Sequence, residues 1–539
     1  MTVRRSVLRC CAASGCRGVG GTELRKALDS ARDDLGLSAE ELEIQPVGCL
    51  RMCVRGPLVA ADGPDGSAAL FGAVPPERAA DLVREATAAA ADPAPLADHR
   101  IDLTHPFFTL QTSVVLEGCG RVNPESIADA LAIGTYAQFQ RCLLERTPEE
   151  VREQVKRSGL RGRGGGGYPT GLKWDTVALQ PPGPRYVVCN ADEGDPGAFM
   201  DRSVLESDPH RLLEGMAIAA YAVGASKGYV YVRAEYPLAI ERVRLAIRQA
   251  RHHGWLGDAI AGSTFSLSLE VRVGAGAYVC GEETALLHSI QGQRGTPRTR
   301  PPYPAQSGLW GAPTLINNVE TLAAVPAILR EGGDWYAAMG TASSKGTKVF
   351  ALSGAVAHAG LVEVPMGTTL RTVVDTMGGG VSDGSAIKAV QTGGPSGGCI
   401  PASLLDTPVD YESLQELGSM MGSGGLVVMG ETTSMPGVAR HFMRFSVNES
   451  CGKCVPCRAG TVQLLQLLDR VVEHLATPAD LEQLDQLCRM VRRTSLCGLG
   501  QAAPNPVLST LRHFRHEYEA ACRLPSTCLA PTHCALPVP

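Results

Sequence analysis

Four cysteines in the C-terminal part of the chain have the spacing of redox chemistry: Cys451-x2-Cys454-x2-Cys457, then Cys497 within Thr-Ser-Leu-Cys-Gly-Leu-Gly. Three closely spaced thiolates serve one side of a small iron–sulfur cube and a distant fourth closes it, which is the ligand set of a single [4Fe–4S] cluster. Structural zinc is the alternative, although it more often takes two separated pairs around a tetrahedron. A second constellation stands at the other end. Cys11-x4-Cys16 and Cys49-x3-Cys53 are two short pairs that suit a [2Fe–2S] rhomb, one pair on each iron. Zinc and unmetallated thiols stay open there, and Cys10 could replace Cys11 as first ligand. Cys119, Cys142, Cys189, Cys280, Cys399 and Cys488 read as small buried apolar side chains. None of the 12 histidines stands at a metal-ligand spacing, and His288 and His441 read as structural.

The third chemical feature is glycine-rich: Gly162-Arg-Gly-Gly-Gly-Gly167-Tyr-Pro-Thr-Gly-Leu-Lys-Trp174. It contains a literal Gly-x-Gly-x-x-Gly, but a charged helical stretch, Glu149 to Arg157, precedes it where the dinucleotide fingerprint needs a strand. A flexible loop explains it equally well. Free backbone N–H groups, with Arg163 and Lys173 beside them, nevertheless make an anion site. Asp192, Glu193 and Asp195 in a Pro/Gly turn, each taken alone, read as a solvated loop. Glu282 and Glu283 at a helix start likewise read as dipole compensation.

Elements that could position these groups follow from periodicity. Residues 1–75 read as a small α/β unit, with strands at Val3 to Leu8, Glu43 to Val47 and Leu58 to Ala60 around a helix from Glu23 to Leu35. The Pro/Ala/Asp-rich run from Ala88 to Leu96 marks a linker over 76–104. Between 105 and 340 strands at Tyr186 to Cys189, Gly228 to Arg233 and Leu267 to Val273 alternate with helices such as Pro237 to Arg251, which predicts a mainly parallel sheet covered by helices. Short strands and Gly-rich turns make 341–431 a small β-rich insert. Apolar residues at helical spacing in Val462 to Leu475 and Leu481 to Val491 predict a helical bundle gripping the cluster over 432–522. A loose tail, 523–539, holds Cys528 and Cys534. There is no internal repeat.

Composition narrows the function classes. The chain has 539 residues, enough for three or four domains, and its 44% hydrophobic and 19% charged content is that of a soluble globular protein. A net charge of −5 gives no reason to expect nucleic acid. Eighteen cysteines, the paired ones regularly spaced, fit cluster ligation in a reducing compartment better than a secreted disulfide scaffold of this size. A cytoplasmic location is expected. Arg9 interrupts the apolar segment a secretory signal needs, and no apolar run is long enough to span a bilayer, so any membrane attachment would come through partners.

In order along the chain, the glycine-rich segment, Asn190-Ala-Asp-Glu-Gly-Asp-Pro-Gly197, Gly276-Ala-Tyr-Val-Cys-Gly-Glu-Glu-Thr284, Pro301-Pro-Tyr-Pro-Ala-Gln-Ser-Gly-Leu-Trp310 and Ile316-Asn-Asn-Val-Glu-Thr321 precede the cysteine quartet. From about residue 105 to 515 this order resembles the NADH-binding flavoprotein subunit of respiratory complex I and the diaphorase subunits of NAD-linked formate dehydrogenases and hydrogenases. The resemblance implies a multidomain α/β protein: a thioredoxin-like [2Fe–2S] module, a Rossmann-like FMN- and NAD(H)-binding domain, a β-grasp soluble-ligand-binding insert and a helical [4Fe–4S] bundle. It implies FMN held by Gly162, Arg163, Gly164, Lys173, Asn190, Asp192, Glu193, Tyr278, Gly281 and Glu282, with Asn317, Asn318 and Thr321 at the phosphate end.

NAD(H), the implied substrate, would lie against Tyr168, Asp195, Glu283, Arg300 and Tyr303. Tyr168 and Tyr303 replace the usual Phe, and stacking needs only an aromatic face. Glu283 matches the carboxylate that binds the adenosine ribose and repels a 2′-phosphate, favouring NAD; Arg300, where the complex I subunit has Lys, could grip a phosphate and keeps NADP open. Asp195 stands where Glu is usual. The implied function is hydride exchange between NAD(H) and FMN, with single electrons passed to the clusters. The fused N-terminal module points to a soluble formate dehydrogenase or hydrogenase complex, with a small [2Fe–2S] subunit and a larger catalytic or electron-relay subunit as partners. A respiratory NADH dehydrogenase subunit, a flavin-free electron-transfer or assembly subunit, and a zinc-stabilised binding protein are the competing readings.

Overall fold

The computed structural model describes residues 5–64, 66–87 and 96–522. Its first layer is a five-stranded sheet of β1 (Ser6–Cys11), β2 (Leu42–Val47), β3 (Leu58–Asp62), β4 (Ala68–Gly72) and β5 (Arg100–Ile101), in the order β2-β1-β3-β4-β5. Only β1 and β2 run parallel. Helices α1 (Gly21–Asp34) and α2 (Ala79–Thr87) bring Leu24, Leu28, Leu82 and Val83 onto Leu8, Val59 and Phe71. The linker expected over 76–104 is therefore corrected. Leu82, Val83 and Ala86 form an apolar stripe one helical turn long, and β5 extends the sheet, so this stretch belongs to the first layer. Residues 88–95 of the Pro/Ala/Asp run lie outside the described residues, as do Cys528, Cys534 and the rest of 523–539.

The second layer is the expected parallel sheet: β6 (Tyr186–Ala191), β7 (Lys227–Arg233), β8 (Ser268–Gly274) and β9 (Thr314–Asn318), in the order β8-β7-β6-β9. Its helices are α3 (Thr170–Ala178), α4 (Met200–Ser207), α5 (Pro209–Val223), α6 (Pro237–His252), α7 (Glu283–Ile290) and α8 (Val319–Glu331). α5 is buried on nearly every side and forms the centre of the core. The chain winds one way from β6 to β8 and then returns to the other side of β6 with β9. Ligands bind such sheets at this reversal, outside the carboxyl ends of the strands.

The third layer, a mixed sheet of β10 (Thr347–Gly354), β11 (Gly360–Pro365), β12 (Ile387–Thr392), β13 (Cys399–Pro401) and β14 (Gly425–Gly430), has the order β11-β10-β14-β12-β13. A fully buried ion pair, Lys348 Nζ to Glu320 Oε2 at 2.5 Å, fastens it to the start of α8. The last layer holds α9 (Met435–Glu449), α10 (Val455–Val472), α11 (Pro478–Thr494) and α12 (Gly498–Ala502), packed through Leu464, Leu468, Leu484 and Val491. α10 starts one turn and more before the predicted Val462, because Pro456 suits a first helical turn.

Candidate active site and cysteine centres

At the strand-order reversal lies a cleft of about 820 Å³, within the usual size range of cofactor sites. Gly162, Gly164, Gly166 and Gly167 form one wall. The loop is not a strand-to-helix turn; it runs from the preceding helix into α3 and closes on itself with Gly162 N donating to Tyr168 O at 2.9 Å. A Cβ at Gly164 would stand 3.0 Å from that of Asn318, whereas one at Gly166 would meet nothing within 4 Å. Small residues thus keep this wall low enough for a planar ligand to approach backbone N–H groups.

Asn190 and Asp192 leave the end of β6. Asn190 Nδ2 donates to Gly281 O at 2.8 Å and its Oδ1 accepts from Asp192 N at 3.1 Å, which locks the β6 loop to the 3-10 turn Tyr278–Gly281. Asp192 Oδ2 is buried and has no hydrogen-bond partner among the described residues. Burial pushes this carboxyl up to about 7; Arg233 opposes the shift, while Glu235 and Glu449 add to it. An unsatisfied buried acceptor on a cleft wall is made for a ligand donor, since leaving it unpaired costs about 1–3 kcal/mol. Tyr278 OH donates to Asp195 Oδ1 at 2.8 Å and contacts Ser396 Oγ at 3.2 Å, while Ser423 Oγ donates to Asp195 Oδ2 at 2.7 Å.

Near the mouth, Lys173 Nζ pairs with Glu283 Oε1 at 2.5 Å, and Arg300 Nη1 stands 3.8 Å from Glu283 Oε2. Tyr168 and Tyr303, each 53% exposed, flank the opening. The Arg300 guanidinium lies 5.9 Å over the Tyr303 ring.

Several expected cofactor residues have other work. The Glu193 carboxylate accepts from Asp201 N and Arg202 N and so caps α4. Glu282 caps α7 through Thr284 N and Ala285 N. Asn317 Oδ1 accepts from Trp174 Nε1, and Asn318 Oδ1 accepts from Thr321 N as the α8 cap. These four side chains still border the cleft. Thr321 and Arg163 do not. Thr321 Oγ1 accepts from Arg163 N, and the Arg163 guanidinium is buried among Thr347 O, Lys345 O, Tyr336 and Tyr411, turned toward the third layer. The expectation that Arg163 supplies charge to a phosphate is thus corrected. Ser396, Ser423, Asp201 and Leu499 also line the cleft without having been foreseen; Ser396 and Ser423 come from the third layer, and no local pattern marks them.

Cys451, Cys454, Cys457 and Cys497 line one small pocket next to the cleft. Cys454 and Cys497 sit at the N-caps of α10 and α12; burial pushes the Cys497 thiol up, opposed by Leu499 N and Gly500 N, which face it. Among the described residues no group of three or more His, Cys or carboxylate side chains closes on a single-ion site. Four thiols lining one pocket match the ligand count of a [4Fe–4S] cube. Val279 and Leu499 border both the cleft and this pocket, so one layer of side chains separates them.

The N-terminal quartet also assembles. The Cys11 thiol contacts those of Cys16 and Cys49, and Cys49 contacts Cys53. Cys10 points across the sheet into the apolar core, where burial pushes its thiol up to about 12, so strand alternation places Cys11 rather than Cys10 with the quartet. The quartet abuts the end of α4: Ser14 N and Oγ donate to Glu206, and Cys49 N donates to Ser207 Oγ at 2.8 Å. Cys119, Cys142, Cys189, Cys280, Cys399 and Cys488 are buried, as expected of small apolar side chains.

Comparison with known proteins supports the same assignment. Residues 155–327 match the Nuo51 FMN-binding domain, 437–521 the NADH-ubiquinone oxidoreductase-F iron-sulfur binding region, and 349–400 the SLBB domain. The chain is 54% identical over 410 residues to the NADP-reducing hydrogenase subunit HndC of Solidesulfovibrio fructosivorans, covering 76% of this chain and 83% of that one. It is 46% identical to an NADH-quinone oxidoreductase subunit of Rhizobium meliloti, covering 72% and 92%. A chain of an NAD+-reducing [NiFe]-hydrogenase crystal structure superposes with a TM-score of 0.68 at 32% identity, covering 97% of this chain and 85% of that one. The protein belongs to the family of FMN- and [4Fe–4S]-binding subunits of NADH-quinone oxidoreductases and their hydrogenase counterparts, which are NAD(P)H oxidoreductase-type proteins.

Proposed function

We propose that this chain is the diaphorase subunit of a soluble NAD-dependent hydrogenase or formate dehydrogenase, exchanging hydride between NAD(H) and FMN and passing electrons singly to its clusters. The observation that carries this reading is the structural likeness to a chain of an NAD+-reducing hydrogenase, which extends over 97% of this chain and so includes the N-terminal cysteine module. In this reading the first layer is a thioredoxin-like [2Fe–2S] module ligated by Cys11, Cys16, Cys49 and Cys53, and the third is a β-grasp domain. The location is cytoplasmic; no helix among the described residues is long and apolar enough to cross a membrane. A small [2Fe–2S] subunit and a larger catalytic or relay subunit are the partners.

Bound in the cleft, FMN supplies the hydride and single-electron chemistry. The chain's residues orient and screen. Asp192 Oδ2 would accept an N–H of the bound ring, the Gly162–Gly167 wall would admit its plane, and Lys173 would offset phosphate charge. Tyr168 and Tyr303 would stack on the adenine, and Glu283 would take the ribose hydroxyls. No side chain need act as acid or base in the hydride step.

The test is anaerobic isolation of the tagged chain with its native partners. Bound FMN, iron, NADH-dependent ferricyanide reduction and a nickel–iron or molybdopterin subunit are expected. Quinone-reducing membrane subunits would instead favour the respiratory reading, for which the 46% identity to a quinone oxidoreductase subunit speaks. Iron without flavin would leave an electron-transfer or assembly subunit.

A further inference from the structure

We propose that a second pocket, beside α7, binds a small oxyanion of the phosphate or sulfate type. This pocket has a volume of about 200 Å³, and none of its lining residues borders the cleft or the pocket of the C-terminal cysteines. It is smaller than the usual site of a cofactor, and it has space for roughly six water molecules at ~30 Å³ each. Its occupant is therefore smaller than a nucleotide. Thr284, Leu287, His288 and Gln291, spaced as one helical face, line one side, and Gln293 and Arg298 come from the loop that follows.

Arg298 supplies the charge. Its backbone N donates to Thr284 Oγ1 at 2.9 Å and its Nη2 donates to Ser307 O, which holds the residue at two points. Its Nε is buried without an acceptor, its Nη1 makes no hydrogen bond, and no carboxylate pairs with it among the described residues. A buried guanidinium N–H left unmatched costs free energy that an anionic oxygen would recover. His288 Nδ1 donates to Thr296 O at 2.6 Å, and its Nε2 has no partner among the described residues. The Gln293 amide makes no hydrogen bond there either.

None of the lining residues is acidic. The sequence has no Asp or Glu from 284 to 319, although Arg294, Arg298 and Arg300 fall in that stretch. Glu282, which accepts from Thr284 Oγ1, is committed to the α7 cap through Thr284 N and Ala285 N. The carbonyl end of a helix ordinarily disfavours an anion. Here Leu287 O, His288 O and Ser289 O already accept from Gln291 N, Gln293 N and Gly292 N, so that end is capped.

The test is calorimetric titration of the full-length chain with inorganic phosphate, the ionic strength being held constant with chloride. One saturable site is expected, although a net charge of −5 gives the chain no general attraction for phosphate. Sulfate should compete for it. Arg298→Lys keeps the charge but gives up the planar fork and should weaken binding about ten-fold; Gln293→Glu, an exposed change that brings a like charge to the pocket, should do the same. An unchanged thermal midpoint without phosphate shows that Gln293→Glu folds. Lys173→Gln, which removes a cation from the cleft instead, should leave phosphate affinity as it was. Crystals soaked in arsenate should show an anomalous peak beside Arg298.

No saturable binding, an arsenate peak in the cleft alone, or an affinity that survives Gln293→Glu and falls with Lys173→Gln overturns the proposal. Phosphate binding is read without hydride transfer, so the two readings fail separately: a chain that takes phosphate beside Arg298 but holds no flavin keeps this pocket and loses only the diaphorase assignment.

Discussion

Asp192 offers the sharpest test of the cleft. Its carboxyl is pushed up to about 7 by burial, and its Oδ2 has no donor among the described residues. An ionised carboxylate accepts a ring N–H more strongly than a neutral carboxyl does, so below pH 7 a proton must leave before the full-strength hydrogen bond forms. Flavin affinity should then fall toward about ten-fold per pH unit, or about 50-fold between pH 7 and about pH 5, equivalent to about 2.3 kcal/mol. The flavin phosphate loses its second proton near pH 6 and also titrates in this window. Asp192→Asn removes only the carboxyl, and comparing the two proteins isolates its share. Fluorescence titration of flavin-depleted protein with FMN, from about pH 5 to about pH 8, gives both profiles. Stability has the matching sign: because the folded value is raised above the ordinary 3.8, this group's contribution is fully present below that value and is lost as pH rises through about 7. Bound flavin should suppress that loss. A wild-type to Asp192→Asn affinity ratio that stays constant across the range would refute the assignment.

The buried pair between layers should be strongly coupled: Lys348→Met strands Glu320 beside Asp201 and should cost about 3–5 kcal/mol in a urea unfolding series, with Lys348→Met/Glu320→Gln recovering part of the loss. Equal midpoints for the single variant and wild type would rule this out. Cys11→Ser should remove the N-terminal cluster signal in electron paramagnetic resonance while Cys10→Ala keeps it; the reverse pattern would mean that Cys10 is the ligand. Tyr303→Ala should raise KM for NADH about three- to ten-fold with kcat for ferricyanide nearly unchanged, the size of a lost stacking contact. An unchanged KM would place the adenine elsewhere.

Both cysteine quartets were legible because ligand spacing survives any fold that closes them. β6, β7 and β8 were legible as short β-branched or aromatic runs, and α6 as an amphipathic stripe with Pro237 at its start. α5 was not, since a helix buried on every side has no polar face to reveal its period. α2, β4 and β5 were lost beside a Pro/Ala/Asp run that imitates a linker. Glu193 and Glu282 show a different failure. Glu282 already had a local explanation as an acid at a helix start and Glu193 as part of a solvated loop, and the structure spends both on caps even though they border the cleft. Asp192 differs because no helix end claims its Oδ2. The distinction depends on which neighbouring N–H groups are already taken, which a linear pattern does not contain.

Arg163 shows how the cleft acquires rigidity. Its neighbours Gly162 and Gly164 face the cleft while its own side chain turns the other way. Its guanidinium reaches Thr347 O at 3.0 Å, Lys345 O at 2.6 Å and Tyr336 Oη at 3.1 Å, and Tyr411 Oη donates back to Gly162 O at 2.9 Å. A loop rich in glycine has high conformational entropy, and an anion site built from its N–H groups works only if that freedom is removed beforehand. The planar fork of Arg163 removes it by tying the loop to an independent sheet, something a lysine's single ammonium cannot reproduce. Lys348, Ser396 and Ser423 fasten or border the same region from the same layer. The third layer is therefore part of the cleft's construction: it converts a flexible glycine stretch into a fixed wall.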